Sequence, residues 1–436
     1  MKRFNVGKYC RPLAIMAFMA GIAADSVQAA ESPSSITIDA LVREVLEKNP
    51  ERQFYEAEIA AAKAGQKTAG VWANPELNVT AGHKSVGGAG GSGDGVAWSA
   101  SVMQPFEWRG RIGLRKAIAN RDVELAELGY ERFKLALATR TRALAFAVMT
   151  AQEKAAAAEE VAERFKALRE VLVQRDPAGL TPLLETRVIE ATELNAQRKA
   201  SEAALKTKAA LLELSQLRGN PAGTAMIIGK QDVTFEPMSQ MEPFIQMART
   251  NNFEVRVRAV ELAQQGFRVD LAKNERYAAI SVGPTYSEER AAGDRERIVG
   301  IGVTVPLPIW NKNKGNIETA QAKQQQAQAS FYSTQREVER NVAEAALTYT
   351  SKLEEMAKWK PDAVQHFRAA AELADRHYRL GAVPISTYVE LQKQYLEAVE
   401  GLLETKAEAL KAAVELESLT GLTEPLVKIT AREEAK

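Results

Sequence analysis

The stretch "IVGIGVTVPLPIWNKNKGNIETAQA", Ile298 to Ala322, decides the fold. Its first part alternates, with Val299, Ile301, Val303 and Val305 on one side and Gly300, Gly302 and Thr304 on the other. Period-two alternation over about ten residues suits a tilted strand that crosses a bilayer with one face to lipid. Pro306 and Pro308 close it, at a strand end where a missing N–H costs little. Beyond Trp310 the composition turns to Ala, Gln, Glu and Lys, the signature of a long helix.

The same succession occurs earlier in the chain. Trp108 and Trp310, Gly179 and Gly381, Pro182 and Pro384, Leu217 and Leu419, and Gly219 and Gly421 all lie 202 positions apart. Around these anchors "QPFEWRGR" answers "VPLPIWNKNK", "AGLTPLLETRV" answers "LGAVPISTYVE", and "ELSQLRG" answers "ELESLTG". One offset kept across three motifs predicts two copies of one unit, over 30–219 and 241–421. Residues 220–240, rich in Pro and Gly, read as a connector, and 422–436 as a C-terminal tail.

Each copy predicts a first helix, over about 37–70 and 243–273, with Leu41, Val45, Leu46 and Phe54 at helical spacing. A β-hairpin follows, over 73–106 and 278–308. In the first, Leu77, Val79 and Ala81 alternate with Asn78, Thr80 and Gly82, and Val96, Trp98, Ala100 and Val102 alternate with Ala97, Ser99 and Ser101. Pro284 interrupts the pattern in the second. Hairpins of a soluble β-sandwich are the competing reading, but four strands split between two helical halves make a poor sandwich.

A helical hairpin completes each copy, over 111–218 and 315–420. Its first arm, Ile112 to Asp176 or Gly315 to Leu380, reaches roughly 95 Å as a continuous helix. That suits coiled-coil or tube architecture. In the last helix Val389, Leu396, Leu403 and Leu410 recur every seven residues, as do Tyr388, Tyr395, Leu402, Ala409 and Leu416. The rows lie about 100° apart, so the helix offers apolar contact on two sides, as a closed ring requires; one wide stripe in an ordinary bundle is the alternative. At the tips, glycine at 179 and 381 suits a left-handed helix end, and proline at 182 and 384 suits the first turn of the next helix.

Gly88, Gly90 and Gly93 carry the G-x-G-x-x-G spacing of a dinucleotide loop. They lie between two strands with no helix following, so they read as a flexible hairpin tip. Residues 1–29 have the order of a secretory signal peptide: Lys2, Arg3, Lys8 and Arg11, an apolar run from Leu13 to Ala24, then Val27-Gln28-Ala29. The single cysteine, Cys10, leaves with that leader, which excludes a lipoprotein, disulfides and thiol chemistry. His83, His366 and His377 show no ligand spacing, and 57 basic against 56 acidic residues make no case for nucleic acid. Without a nucleophile elbow or phosphate loop, the expectation is no enzyme, no cofactor and no metal site.

Four strands are too few for a closed barrel with a lumen, and open edges are unsatisfied in lipid. Three copies would supply twelve strands. The predicted fold class is therefore mainly α with a membrane β-barrel part: coiled-coil helical hairpins forming an α-barrel, plus four strands per chain in a trimeric 12-stranded barrel.

Across essentially the whole mature chain the sequence resembles TolC-type outer-membrane efflux channels. "VWANPEL", "QPFEWRGRIGLRKAIA" and "VPLPIWNKNKGNIETAQA" resemble the CzcC-like branch, which serves heavy-metal-cation efflux. The resemblance implies a homotrimer in outer-membrane lipid, a periplasmic tunnel, a periplasmic adaptor (membrane fusion protein) and a proton-driven inner-membrane RND transporter. It places Gly179, Leu180, Leu380 and Gly381 at adaptor-docking tips. Relatives close the tunnel with acidic rings after the second tip; the matching positions here hold Thr387 and Glu390, and these with Glu185 are the candidate gate. The same fold could serve drug efflux or type I protein secretion, and a soluble periplasmic coiled-coil scaffold or adaptor is the alternative of another class.

Overall fold

The computed structural model describes residues 35–87, 93–175, 183–221, 226–229, 231–238, 240–291, 294–359, 362–422 and 425–431. The expected signal peptide, the glycine-rich loop at 88–92 and the first tip, with Gly179 and Leu180, lie outside the described residues.

The first half runs β1 (Ser35–Ile36), α1 (Ile38–Lys48), α2 (Arg52–Ala69), β2 (Glu76–Val86), β3 (Gly93–Phe106), α3 (Arg111–Arg175) and α4 (Leu183–Leu217). After β4 (Ile227–Ile228) and β5 (Gln231–Phe235) the order returns: α5 (Glu242–Asn251), α6 (Phe253–Asn274), β6 (Ile280–Ala291) and β7 (Asp294–Thr304). Then come α7 (Lys314–Lys358), α8 (Ala363–Arg379), α9 (Ile385–Thr420) and β8 (Val427–Ala431).

Three stretches expected as single helices are broken. The first helix of each copy divides at an asparagine, Asn49 or Asn252, whose backbone is extended. The two side chains do similar work. Asn49 Nδ2 donates to the Leu217 carbonyl at 2.9 Å, and Asn252 Nδ2 donates to the Leu419 carbonyl at 2.9 Å. Each Oδ1 accepts a following backbone N–H, from Glu51 at 2.9 Å and from Glu254 at 2.9 Å. The Asn252 amide thus caps the start of α6 and that of Asn49 holds the turn leading into α2, and each satisfies an orphan carbonyl at the end of α9 or α4. Those helices end in left-handed glycines, Gly219 at φ +71° and Gly421 at φ +64°. The third break separates α7 from α8. Trp359 is extended at ψ 124°, and the sequence continues Lys360-Pro361, where proline disfavours helix in the residue before it.

By contrast α3 is continuous over 65 residues, roughly 98 Å at 1.5 Å per residue. It packs along α4 and also touches α2, α6 and α9. Three cores lie along the helices. Phe165, Leu168, Ile189, Tyr388 and Tyr395 form the one nearest the tips. Val342, Tyr349, Leu410 and Leu416 form another, and Ile38, Leu41, Val148 and Leu214 the third. Residues of both seven-residue rows of α9, Leu396 and Leu403 of one and Tyr388, Tyr395 and Ala409 of the other, are buried.

The connector is structured. β4 pairs in parallel with β1, and β5 pairs antiparallel with β8 from Gln231↔Ala431 to Phe235↔Val427. The Tyr349 hydroxyl donates to the Glu236 carbonyl at 2.7 Å, tying this small sheet to α7.

Candidate functional site: channel wall and tunnel tip

The four long strands form one antiparallel sheet in the order β2-β3-β6-β7. Its register assigns two faces. Leu77↔Val102, Val79↔Ala100 and Ala81↔Trp98 share a face with Val282↔Val303, Pro284↔Ile301 and Tyr286↔Val299. The opposite face carries Asn78↔Ser101, Thr80↔Ser99, Thr285↔Gly300 and Ser281↔Thr304. One face is apolar and bare: Val299 and Ile301 are each 79% exposed. The other is small and polar, suited to water.

Pro284 sits inside β6, facing Ile301 of β7. On its other side the β3–β6 ladder skips the two pairs between Ser101↔Thr285 and Gln104↔Val282. A proline has no N–H to give there. Next to it a Cβ on Gly283 would fall 1.8 Å from the Val102 carbonyl oxygen, so only glycine lets the strands come this close.

Aromatic side chains bracket the apolar face. At the end nearer the helices, Trp72 meets Phe106 edge-on at 5.9 Å, and Trp108 stacks on Tyr277 at 4.9 Å. Toward the other end Trp98 lies 5.1 Å from Tyr286. Such paired girdles mark the two water interfaces of a membrane barrel.

The duplication leaves one side of the chain unfinished. Helix α6 lies between α3 and α7 and buries Val255, Val260 and Val269. Its counterpart α2 packs on α3 and buries no residue. Likewise Trp108 of the first copy stacks on Tyr277 of the second, whereas Trp310 is 93% exposed. Strands β2 and β7 are the edges of the sheet.

At the far end of the helices, α8 closes in a Schellman motif. Gly381, at φ +74°, donates to the Tyr378 carbonyl at 2.9 Å, and Ala382 donates to that of His377 at 2.9 Å. Leu380 is exposed there. Thr387 and Glu390 are exposed on the first turns of α9, and Gln394 Nε2 donates to Glu390 at 3.0 Å. Glu185 of α4 lies near the Tyr378 hydroxyl; burial first, then this carboxylate, pushes that phenol up. Tyr378 stacks on the buried Tyr388 at 5.4 Å. The structure therefore separates the three gate candidates: Glu185 joins the packing between the two hairpins, while Glu390 and Thr387 stay free of that contact.

Behind the tip lies a polar network that the sequence did not signal. Gln392, fully buried, donates to the Ala371 carbonyl at 2.8 Å and accepts from Arg164 at 3.1 Å. Arg164 also pairs with Glu160 at 2.6 Å, and Arg368 reaches the same Glu160 at 3.0 Å. This network links α3, α8 and α9. The amide Asn49 and Asn252 pair was also missed, because those residues are 203 positions apart and fall outside the 202 offset.

Among the described residues no group of His, Cys, Asp and Glu is placed to hold a metal ion. No described helix is long and apolar enough to cross a membrane.

Comparison with known proteins supplies the context. The nickel-cobalt-cadmium resistance protein NccC of Alcaligenes xylosoxydans xylosoxydans is 26% identical over 312 residues, 71% of this chain and 68% of that protein. The cobalt-zinc-cadmium resistance protein CzcC of Cupriavidus metallidurans is 24% identical over 57% of this chain and 59% of its own length. Among solved structures, the Campylobacter jejuni CmeC outer membrane channel superposes with a TM-score of 0.69 at 16% identity, covering 95% of this chain and 94% of that one. The family model described as outer membrane efflux protein matches twice, at residues 41–220 and 244–422, and the chain belongs to that family.

Proposed function

We propose that this chain is the outer-membrane subunit of a tripartite efflux system and passively exports heavy-metal cations from periplasm to exterior. The observation that carries the channel reading is the two-faced sheet with open edges, whose apolar side is bounded by aromatic pairs. Three chains supply twelve strands and satisfy every edge. The bare α2 and the exposed Trp310 support this, since the counterpart α6 buries residues and the counterpart Trp108 stacks on Tyr277 and is 44% exposed against 93%. The likeness to NccC and CzcC supports metal cations as cargo.

The periplasmic adaptor would dock at the tips formed by Gly179, Leu180, Leu380 and Gly381, and a proton-driven inner-membrane RND transporter would energise transport. In this reading Glu390, Thr387 and Glu185 form the gate, with Glu390 and Thr387 exposed on the first turns of α9. The test is a deletion strain plated on cobalt, zinc, cadmium and nickel, paired with the purified protein in planar bilayers. Heightened metal sensitivity and cation-selective conductance that changes in Glu390→Gln are expected. Unchanged tolerance to all four metals would overturn the cargo, and absence of conductance the channel.

A further inference from the structure

Three arginines crowd one carboxylate on the apolar face of the sheet. Glu288↔Arg297 and Arg290↔Arg295 continue the row of Pro284, Tyr286, Ile301 and Val299. Glu288 is 3% exposed. Its carboxylate takes Arg290 at 2.8 Å, Arg297 at 3.4 Å, the Tyr286 hydroxyl at 2.9 Å, and Arg295 as well. The arginine side chains themselves stay 60%, 44% and 53% exposed for Arg290, Arg295 and Arg297. On this face three cations meet one anion, which leaves two positive charges in excess there, while Glu289, Asp294 and Glu296 lie on the opposite face.

Their depth is set by the strand. Val299, Ile301, Val303 and Val305 carry the apolar band, and Arg297 is the next residue on that face, level with Glu288, whose β3 partner is Trp98 of the aromatic pair. A cation on the lipid face is costly at mid-bilayer and nearly free at the interface, so this position admits it. The guanidinium fork fits a phosphate bidentately, and Glu288 holds the three forks together without cancelling them.

We infer that Arg290, Arg295 and Arg297 bind the phosphates of a phosphorylated glycolipid in the outer leaflet, its acyl chains lying along Val299, Ile301 and Val303. The continuity of charge and apolar row on one face selects a lipid rather than a soluble anion. The inference rests on the outer-membrane location and is independent of the cargo.

The experiment uses the full-length channel in phosphatidylcholine vesicles containing either bisphosphorylated lipid A or the same lipid without phosphates, with bound lipid read by native mass spectrometry. The wild type is expected to retain the phosphorylated lipid and release the other. R290Q/R297Q should weaken retention roughly thirtyfold, at about 1 kcal/mol per arginine, while R290K/R297K, which keeps the charge but not the fork, should fall between that and the wild type. Equal retention of both lipids by the wild type, a measurement that needs no variant, would overturn the inference. So would wild-type retention in R290Q/R297Q, or displacement of the lipid by inorganic phosphate. Unchanged conductance in R290Q/R297Q is expected and separates this surface from the transport path.

Discussion

At the scale of single residues, two polar side chains show how the helices are terminated. Asn49 and Asn252 each spend one amide on the end of one helix and the start of another or the turn leading into it. Replacing either with alanine leaves a carbonyl without its donor and should cost about 1–3 kcal/mol. The check is the thermal midpoint of the detergent-solubilised protein; an unshifted midpoint in both N49A and N252A would refute the capping role. Glu417 is a different case. Burial pushes its carboxyl up, against the opposing pull of the Leu426 N–H, which it accepts at 2.7 Å, and of Arg142 at 3.4 Å. A carboxyl raised in the folded state favours folding most at low pH, and that contribution is lost as pH rises through the folded value. The stability difference between wild type and E417Q should therefore shrink or reverse from acid toward neutral pH in denaturant titrations. A difference flat across that range would mean that the carboxyl is not raised.

Elements are specified by period, and their ends by chemistry that period does not reveal. The alternation in β2, β3 and β7 is legible in the residues, and so is the face each side chain takes, because pleating leaves only two choices. Val303 and Thr304 make the point as adjacent residues on opposite faces. V303K places a charge in the apolar band and should destabilise the inserted barrel by about 2–4 kcal/mol, whereas T304K adds charge to the water-facing side. Heat-resistant oligomer on gels should be lost in V303K and kept in T304K, with altered conductance in the latter; equal behaviour of the two would contradict the face assignment. Helix breaks were less legible. Pro361 in the third break is a visible stop signal, but at Asn252 no proline or glycine stands; its Oδ1 caps the restarted helix by accepting from Glu254 and Val255, while its Nδ2 ties the break to Leu419.

At the scale of the whole molecule the duplication becomes a statement about assembly. The contact of Trp108 with Tyr277 joins the first copy to the second, whereas among the described residues no ring stacks on Trp310, which is 93% exposed. Position 75, the counterpart of Tyr277 at the 202 offset, is Pro75 at the far edge. Cysteines at Trp310 and Pro75 should therefore form disulfides between chains, giving dimer and trimer bands under oxidation, mapped by peptide mass spectrometry. Disulfides found only within one chain would exclude this arrangement.

The sequence alone determined the doubled plan, the alternating strands, the long helices and the glycine and proline of the second tip. Each of these is a local rule, readable from spacing and backbone preference. Tertiary structure decided the sheet order β2-β3-β6-β7, the buried Gln392 and the clustering of three arginines on Glu288. These depend on which distant segments meet. Glu288 in isolation is one more surface carboxylate; only the pairing of β6 with β7 brings Arg295 and Arg297 to it and turns a row of strand residues into a charged edge on an apolar wall.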